Sequence, residues 1–110
     1  MIYELRVYDV QPGKMKALMD RFENDTIALF EKHGMRIKQF WEDVEEPNNR
    51  LYYIVEHDSM SIRNMNYERF RSDPEWIAVK SASEVDGPLV KKQESYFMKD
   101  INLINHKQQN

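Results

Sequence analysis

Few of the 110 residues could carry chemistry, and they do not cluster along the chain. There are three histidines and no cysteine. His57 closes a run rich in Tyr, Ile and Val and is a candidate general base. His33 stands beside Gly34 in a last helical turn, where a cation is favourable, so its expected role is at the helix end. His106 falls in a polar tail. No catalytic residue can be assigned. There is no HxH or HExxH spacing, so no metal and no cofactor is expected. Without cysteine there is no thiolate catalysis, disulfide or sulfur-ligated metal. G-x-G-x-x-G, P-loop and G-x-S-x-G patterns are missing, which leaves nucleotide binding and serine hydrolysis without their usual residues. A net charge of -3 and a pI near 5.6 provide no basic field for nucleic acid or an anionic membrane. Tyr3, Trp41 and Trp76 make no base-stacking platform in so acidic a chain.

The remaining polar candidates lie in the first strand, Ile2 to Tyr8. Its period of two puts Tyr3, Leu5 and Val7 on one side and Glu4, Arg6 and Tyr8 on the other. The apolar set is expected to face the core. Pro12-Gly13 ends the strand. Met15, Leu18, Met19 and Phe22 then form one helical stripe, which resumes at Ile27, Leu29 and Phe30. Asn24-Asp25-Thr26 interrupts it with poor helix formers, which predicts a kink or a break. Gly34 is a natural helix end. Arg36 to Asp43 and Leu51 to His57 read as a hairpin around a Pro/Asn turn. Ser59 or Ser61 opens a second helix, broken near Asp73 and restarted with Pro74 in its first turn. Asp86-Gly87-Pro88 is a turn, and Val90 to Met98 is the fourth strand.

The order β-α-β-β-α-β is the split, ferredoxin-like α+β arrangement, with both helices on one sheet face. One domain over residues 1–100 and a polar tail over 101–110 are expected. No leader or membrane span is visible, so a cytoplasmic protein is the expectation. Helices on one side leave the other sheet face bare. The alternation assigns it Glu4, Arg6 and Tyr8, with Tyr52, Ile54 and Glu56 from the third strand and Glu94, Tyr96 and Met98 from the fourth. A two-fold homodimer packed sheet to sheet would bury that surface. Glu4, Arg6, Tyr8 and Glu56 are therefore the expected dimer contacts; the alternative is an ordinary solvated sheet face.

Tyr3-Glu4-Leu5-Arg6, Pro12-Gly13, Phe30-Glu31-Lys32-His33-Gly34, Phe40-Trp41, Asp58-Ser59, Asp73-Pro74-Glu75-Trp76 and Gln93-Glu94-Ser95 together resemble the NIPSNAP family. The likeness runs from about Ile2 to Ser95; from Tyr96 onward the chain departs from the pattern. It implies a dimeric α/β barrel and a protein of the small bacterial kind. Related barrels include cofactor-free monooxygenases, haem-degrading enzymes and lactone isomerases, whose pocket lies between helices and sheet. By that likeness, the interruption at Asn24-Asp25-Thr26 would open a cleft walled by Phe22, Thr26, Trp41, Tyr53 and Trp76. The same residues could instead be filled core. Two functions stay open: binding or transforming a small hydrophobic metabolite in that cleft, or a non-catalytic dimeric interaction module.

Overall fold

The computed structural model describes residues 1–45 and 47–104. Four strands, β1 (Ile2–Val10), β2 (Arg36–Glu42), β3 (Arg50–His57) and β4 (Val90–Met98), form an antiparallel sheet in the order β2-β3-β1-β4. Helices α1 (Met15–Arg21) and α2 (Ile27–Lys32) follow β1, and α3 (Met60–Arg71) and α4 (Pro74–Ser83) follow β3. This is the ferredoxin-like α+β arrangement.

Local chemistry explains the element ends. Ser59 Oγ accepts the Ile62 N–H at 3.2 Å and starts α3. Asp73 caps α4 by accepting the Glu75 N–H at 2.9 Å, with Pro74 in the first turn. Gly34 takes φ 80°, and Met35 N–H returns to Phe30 C=O at 2.9 Å, closing α2 with a Schellman turn. A Cβ at Gly34 would also meet Asn66 at 3.0 Å.

Between α1 and α2 the chain does not break. Residues Phe22–Thr26 form a π-helical turn in which Ile27 N–H donates to Phe22 C=O, five residues back. The poor helix formers thus widen the helix by one residue while the backbone stays helical from α1 through α2. Thr26 Oγ1 donates to the Arg21 carbonyl at 3.3 Å.

The sense of the first strand is the reverse of the sequence expectation. Glu4, Arg6, Tyr8 and Val10 are the buried set, beneath the helices with Leu51, Tyr53, Val55 and His57 of β3. Tyr3, Leu5 and Val7 lie on the bare face, opposite Glu56, Ile54 and Tyr52. Glu4, Arg6 and Tyr8 are therefore core residues of one chain and cannot form the bare-face contact assigned to them. Glu56 does lie on the bare face, half-buried, and accepts from Arg36 at 3.2 Å. The charged pair can go inside because the interior supplies its partners, as described below.

Trp41 also needs correction. A bulge between Ile37 and Gln39 in β2 puts an extra residue into the strand. Ile37 and Phe40 both turn to the core, opposite Val55 and Tyr53, and Trp41 turns out opposite Tyr52. Trp41 is 47% exposed and is not in the lining of the cavity between helices and sheet. Among the described residues no helix is long and apolar enough to cross a membrane. Residues 101–104 are irregular and exposed. Residues 105–110, with His106, lie outside the described residues.

Candidate functional site

The charged residues of β1 anchor a buried polar cluster. The Glu4 carboxylate is 1% exposed and accepts from four side chains. His57 Nε2 meets Oε1 at 3.0 Å. Arg63 of α3 grips both oxygens, at 3.0 and 2.8 Å. Arg6 Nη1 and Ser95 Oγ reach Oε2 at 2.9 and 2.7 Å. Burial alone would raise this carboxyl. Hydrogen bonds from His57 and Arg63, the nearby Arg6 charge and the Ser95 hydroxyl outweigh it and hold the group well below the usual carboxylate range. A carboxylate only accepts, so the His57 proton sits on Nε2. Nδ1 is buried without a partner among the described residues.

Arg6 turns its other nitrogens to three phenols. Nε donates to Tyr53 at 2.6 Å, and Nη2 donates to Tyr8 and Tyr67, both at 3.0 Å. Tyr8 and Tyr53 share a 2.6 Å hydrogen bond. Burial opposes the guanidinium charge, but the oxygens of Tyr53, Tyr8 and Tyr67 and the Glu4 carboxylate outweigh it, so Arg6 stays protonated. Burial pushes the Tyr53 phenol well above its ordinary value, so Tyr53 stays neutral. Tyr67 accepts from Arg6 and keeps its own O–H proton for donation.

Tyr8 and Tyr67 line a cavity of about 700 Å³ between the helices and the β4 side of the sheet. Its inner wall is aromatic: Phe22, Phe30, Phe70 and Trp76 join the two tyrosines. Thr26 brings the π-turn to the wall, and the buried Arg21 lines the cavity beside it. Arg21 ties α1 to α4: Nη1 donates to Ser83 at 3.0 Å and to Glu84 at 2.9 Å, and the guanidinium carbon lies 5.1 Å from the Trp76 ring centre. The size and the aromatic inner wall fit a small-molecule pocket, and the tyrosines supply hydroxyls to orient a guest. No three His, Cys, Asp or Glu side chains converge on a metal-sized site among the described residues.

The NIPSNAP family model matches residues 3–103. The chain belongs to the NIPSNAP family. An uncharacterised NIPSNAP domain protein from Burkholderia xenovorans superposes with a TM-score of 0.79 at 22% identity, covering 96% of this chain and 99% of that one. A NIPSNAP family protein of unknown function from Agrobacterium tumefaciens gives a TM-score of 0.80 at 23% identity, covering 94% and 91%. A Nitrosomonas europaea protein provisionally assigned as an antibiotic biosynthesis monooxygenase shares the fold at a TM-score of 0.64 and 9% identity, covering 93% and 100%. No curated protein matches.

In this NIPSNAP chain the sequence-predicted wall residues part company. Phe22, Thr26 and Trp76 line the cavity. Tyr53 is fully buried one layer below, 5.0 Å from the Phe22 ring, and holds Tyr8 and Arg6 in place. Trp41 is on the opposite sheet face. His57 has the buried carboxylate partner that the sequence did not show. Arg21, Tyr67 and Arg63 escaped the sequence reading, since each sits on a helix among many charges. Glu4 and Arg6, expected at a dimer contact, instead meet Ser95 in one internal cluster.

Proposed function

We propose that this NIPSNAP chain binds a small apolar-bodied metabolite between helices and sheet, held at one end by tyrosine hydroxyls. The observation that supports this is the aromatic cavity of about 700 Å³. Arg6 and Glu4 hold the phenols from below, so the floor can orient a guest or donate a proton to it. The chain's two tryptophans report on opposite faces, Trp76 in the cavity and Trp41 on the bare sheet. Titration with the neutral probe N-phenyl-1-naphthylamine should shift the Trp76 indole N–H resonance and leave Trp41 in place. Movement of Trp41 alone would reject the cavity.

The bare sheet face supports a second reading, in which the chain also pairs with its own copy. Tyr3, Leu5, Val7, Tyr52 and Ile54 are half-buried there, and Trp41, Tyr96 and Met98 are 47%, 50% and 39% exposed. That much contiguous apolar surface favours an interface. Sedimentation at micromolar concentration should give a dimer mass for the wild type and a folded monomer for Leu5→Glu. A wild-type monomer, or a Leu5→Glu dimer, would refute the pairing.

A further inference from the structure

We infer that the cavity is built for an amphipathic anion, an apolar body carrying a carboxylate, with Arg21 as its anchor. This rests on the reading of the cavity as a ligand site and specifies the ligand's charge. Five cations are among the lining residues, Arg21, Arg71, Lys80, Lys91 and Lys92, against one acid, Glu84. Of these, Lys92 shares the bare face with Glu94 and meets it at 3.8 Å, and Arg71 meets Glu68 at 4.0 Å. The chain as a whole carries -3, so positive charge is concentrated here against the overall balance. Among the described residues Lys80 and Lys91 have no acidic partner within ion-pair distance.

Arg21 is the inner cation. Its side chain is 8% exposed, far drier than the rim lysines. Glu84 and Ser83 engage Nη1 alone, Nε is buried without a partner, and Nη2 makes no hydrogen bond among the described residues. Nε is an unmet buried donor, which destabilises, whereas Nη2 is not among the buried unpartnered atoms and so reaches the open cavity. A carboxylate at Nη2 would add a charge-assisted bond, which is stronger than a neutral one. The aromatic wall takes the body of the same molecule, so head and tail are recognised by different parts of one cavity. Lys80 and Lys91, being exposed, would draw the anion in and contribute a part that salt screens.

The test is isothermal titration calorimetry of the full chain with matched acid and primary amide pairs: 1-naphthaleneacetate, indole-3-acetate and decanoate, each against its amide. At least one acid should bind roughly ten-fold tighter than its amide, the size expected for one charged hydrogen bond. Arg21→Gln should bring the pair to within about two-fold. Should Arg21→Gln fail to fold, Lys80→Gln with Lys91→Gln serves: the acid should lose affinity and most of its salt dependence, the amide neither. Acids and amides binding equally in wild type would overturn the anion and leave the cavity standing. No heat from any member of the panel would overturn both.

Discussion

Arg6→Met is expected to destabilise the protein by about 3–5 kcal/mol in equilibrium urea unfolding, the usual result of removing one partner from a buried ion pair. Methionine keeps the apolar stem and deletes the charge. The loss leaves Glu4 without its innermost cation and leaves three phenols, Tyr8, Tyr53 and Tyr67, without their shared donor. Small domains have only about 5–15 kcal/mol of stability in total, so the variant should be close to its folding limit at physiological temperature. Arg63→Ala is the control. Arg63 grips the same carboxylate, but its side chain is 17% exposed and water can replace part of what it gives. Its cost should be about 1–2 kcal/mol. Equal losses from both variants would mean that burial of Arg6 is not what makes it matter.

The second large effect is on acid stability. Folding lowers the Glu4 carboxyl below its ordinary value of 4.5. Above pH 4.5 the group is ionised in both states and its stabilisation is complete. As pH falls below 4.5 the unfolded chain takes up a proton that the folded chain refuses, so stability drops until the folded group also titrates. This group alone should remove about 2 kcal/mol between pH 4.5 and pH 2.5. Glu4→Gln should flatten that limb, at the expense of a lower plateau at pH 7, where glutamine cannot balance Arg6 and Arg63. Some slope should persist, because hydrogen bonds from Lys32 and His33 also hold Asp73 below its usual range. An acid limb unchanged in Glu4→Gln would show that the Glu4 cluster does not set the acid response.

Element order, helix caps and the place of the π-turn were all legible in the sequence, because each follows from residues within about one helical turn of one another. Ser59, Asp73 and Gly34 act on neighbours, and Asn24-Asp25-Thr26 announced an irregularity, though the wider helical turn looked like a break. The inward face of β1 was not legible. Alternation separates Glu4, Arg6 and Tyr8 from Tyr3, Leu5 and Val7 but does not say which set is inside, and the apolar set was the natural choice. What reverses it is the convergence of His57, Arg63, Tyr67 and Ser95, which lie 53 to 91 positions along the chain from their partners in β1. Trp41 was misplaced for a related reason. One extra residue at the bulge inverts the parity of the rest of β2, and nothing local in Lys38-Gln39 marks it. Phe22, Thr26 and Trp76 flank visible irregularities, the π-turn and the Pro74 restart, and those irregularities place them in the cavity lining.

Helix α4 contains no buried residue, although it forms one wall of the cavity. Its ties include the Asp73 cap, Trp76 and Val79 against the core, with Trp76 4.7 Å from the Phe70 ring, the Lys32–Glu75 contact at 3.7 Å, and the Arg21 contacts to Ser83 and Glu84. β1, by contrast, is hydrogen-bonded to a strand on each side. The two should therefore come apart on different scales: α4 through small local excursions, β1 only when the whole molecule unfolds. A guest could enter by displacing α4 while the Arg6 cluster stays closed, so turnover of what fills the cavity need not disturb what holds the fold.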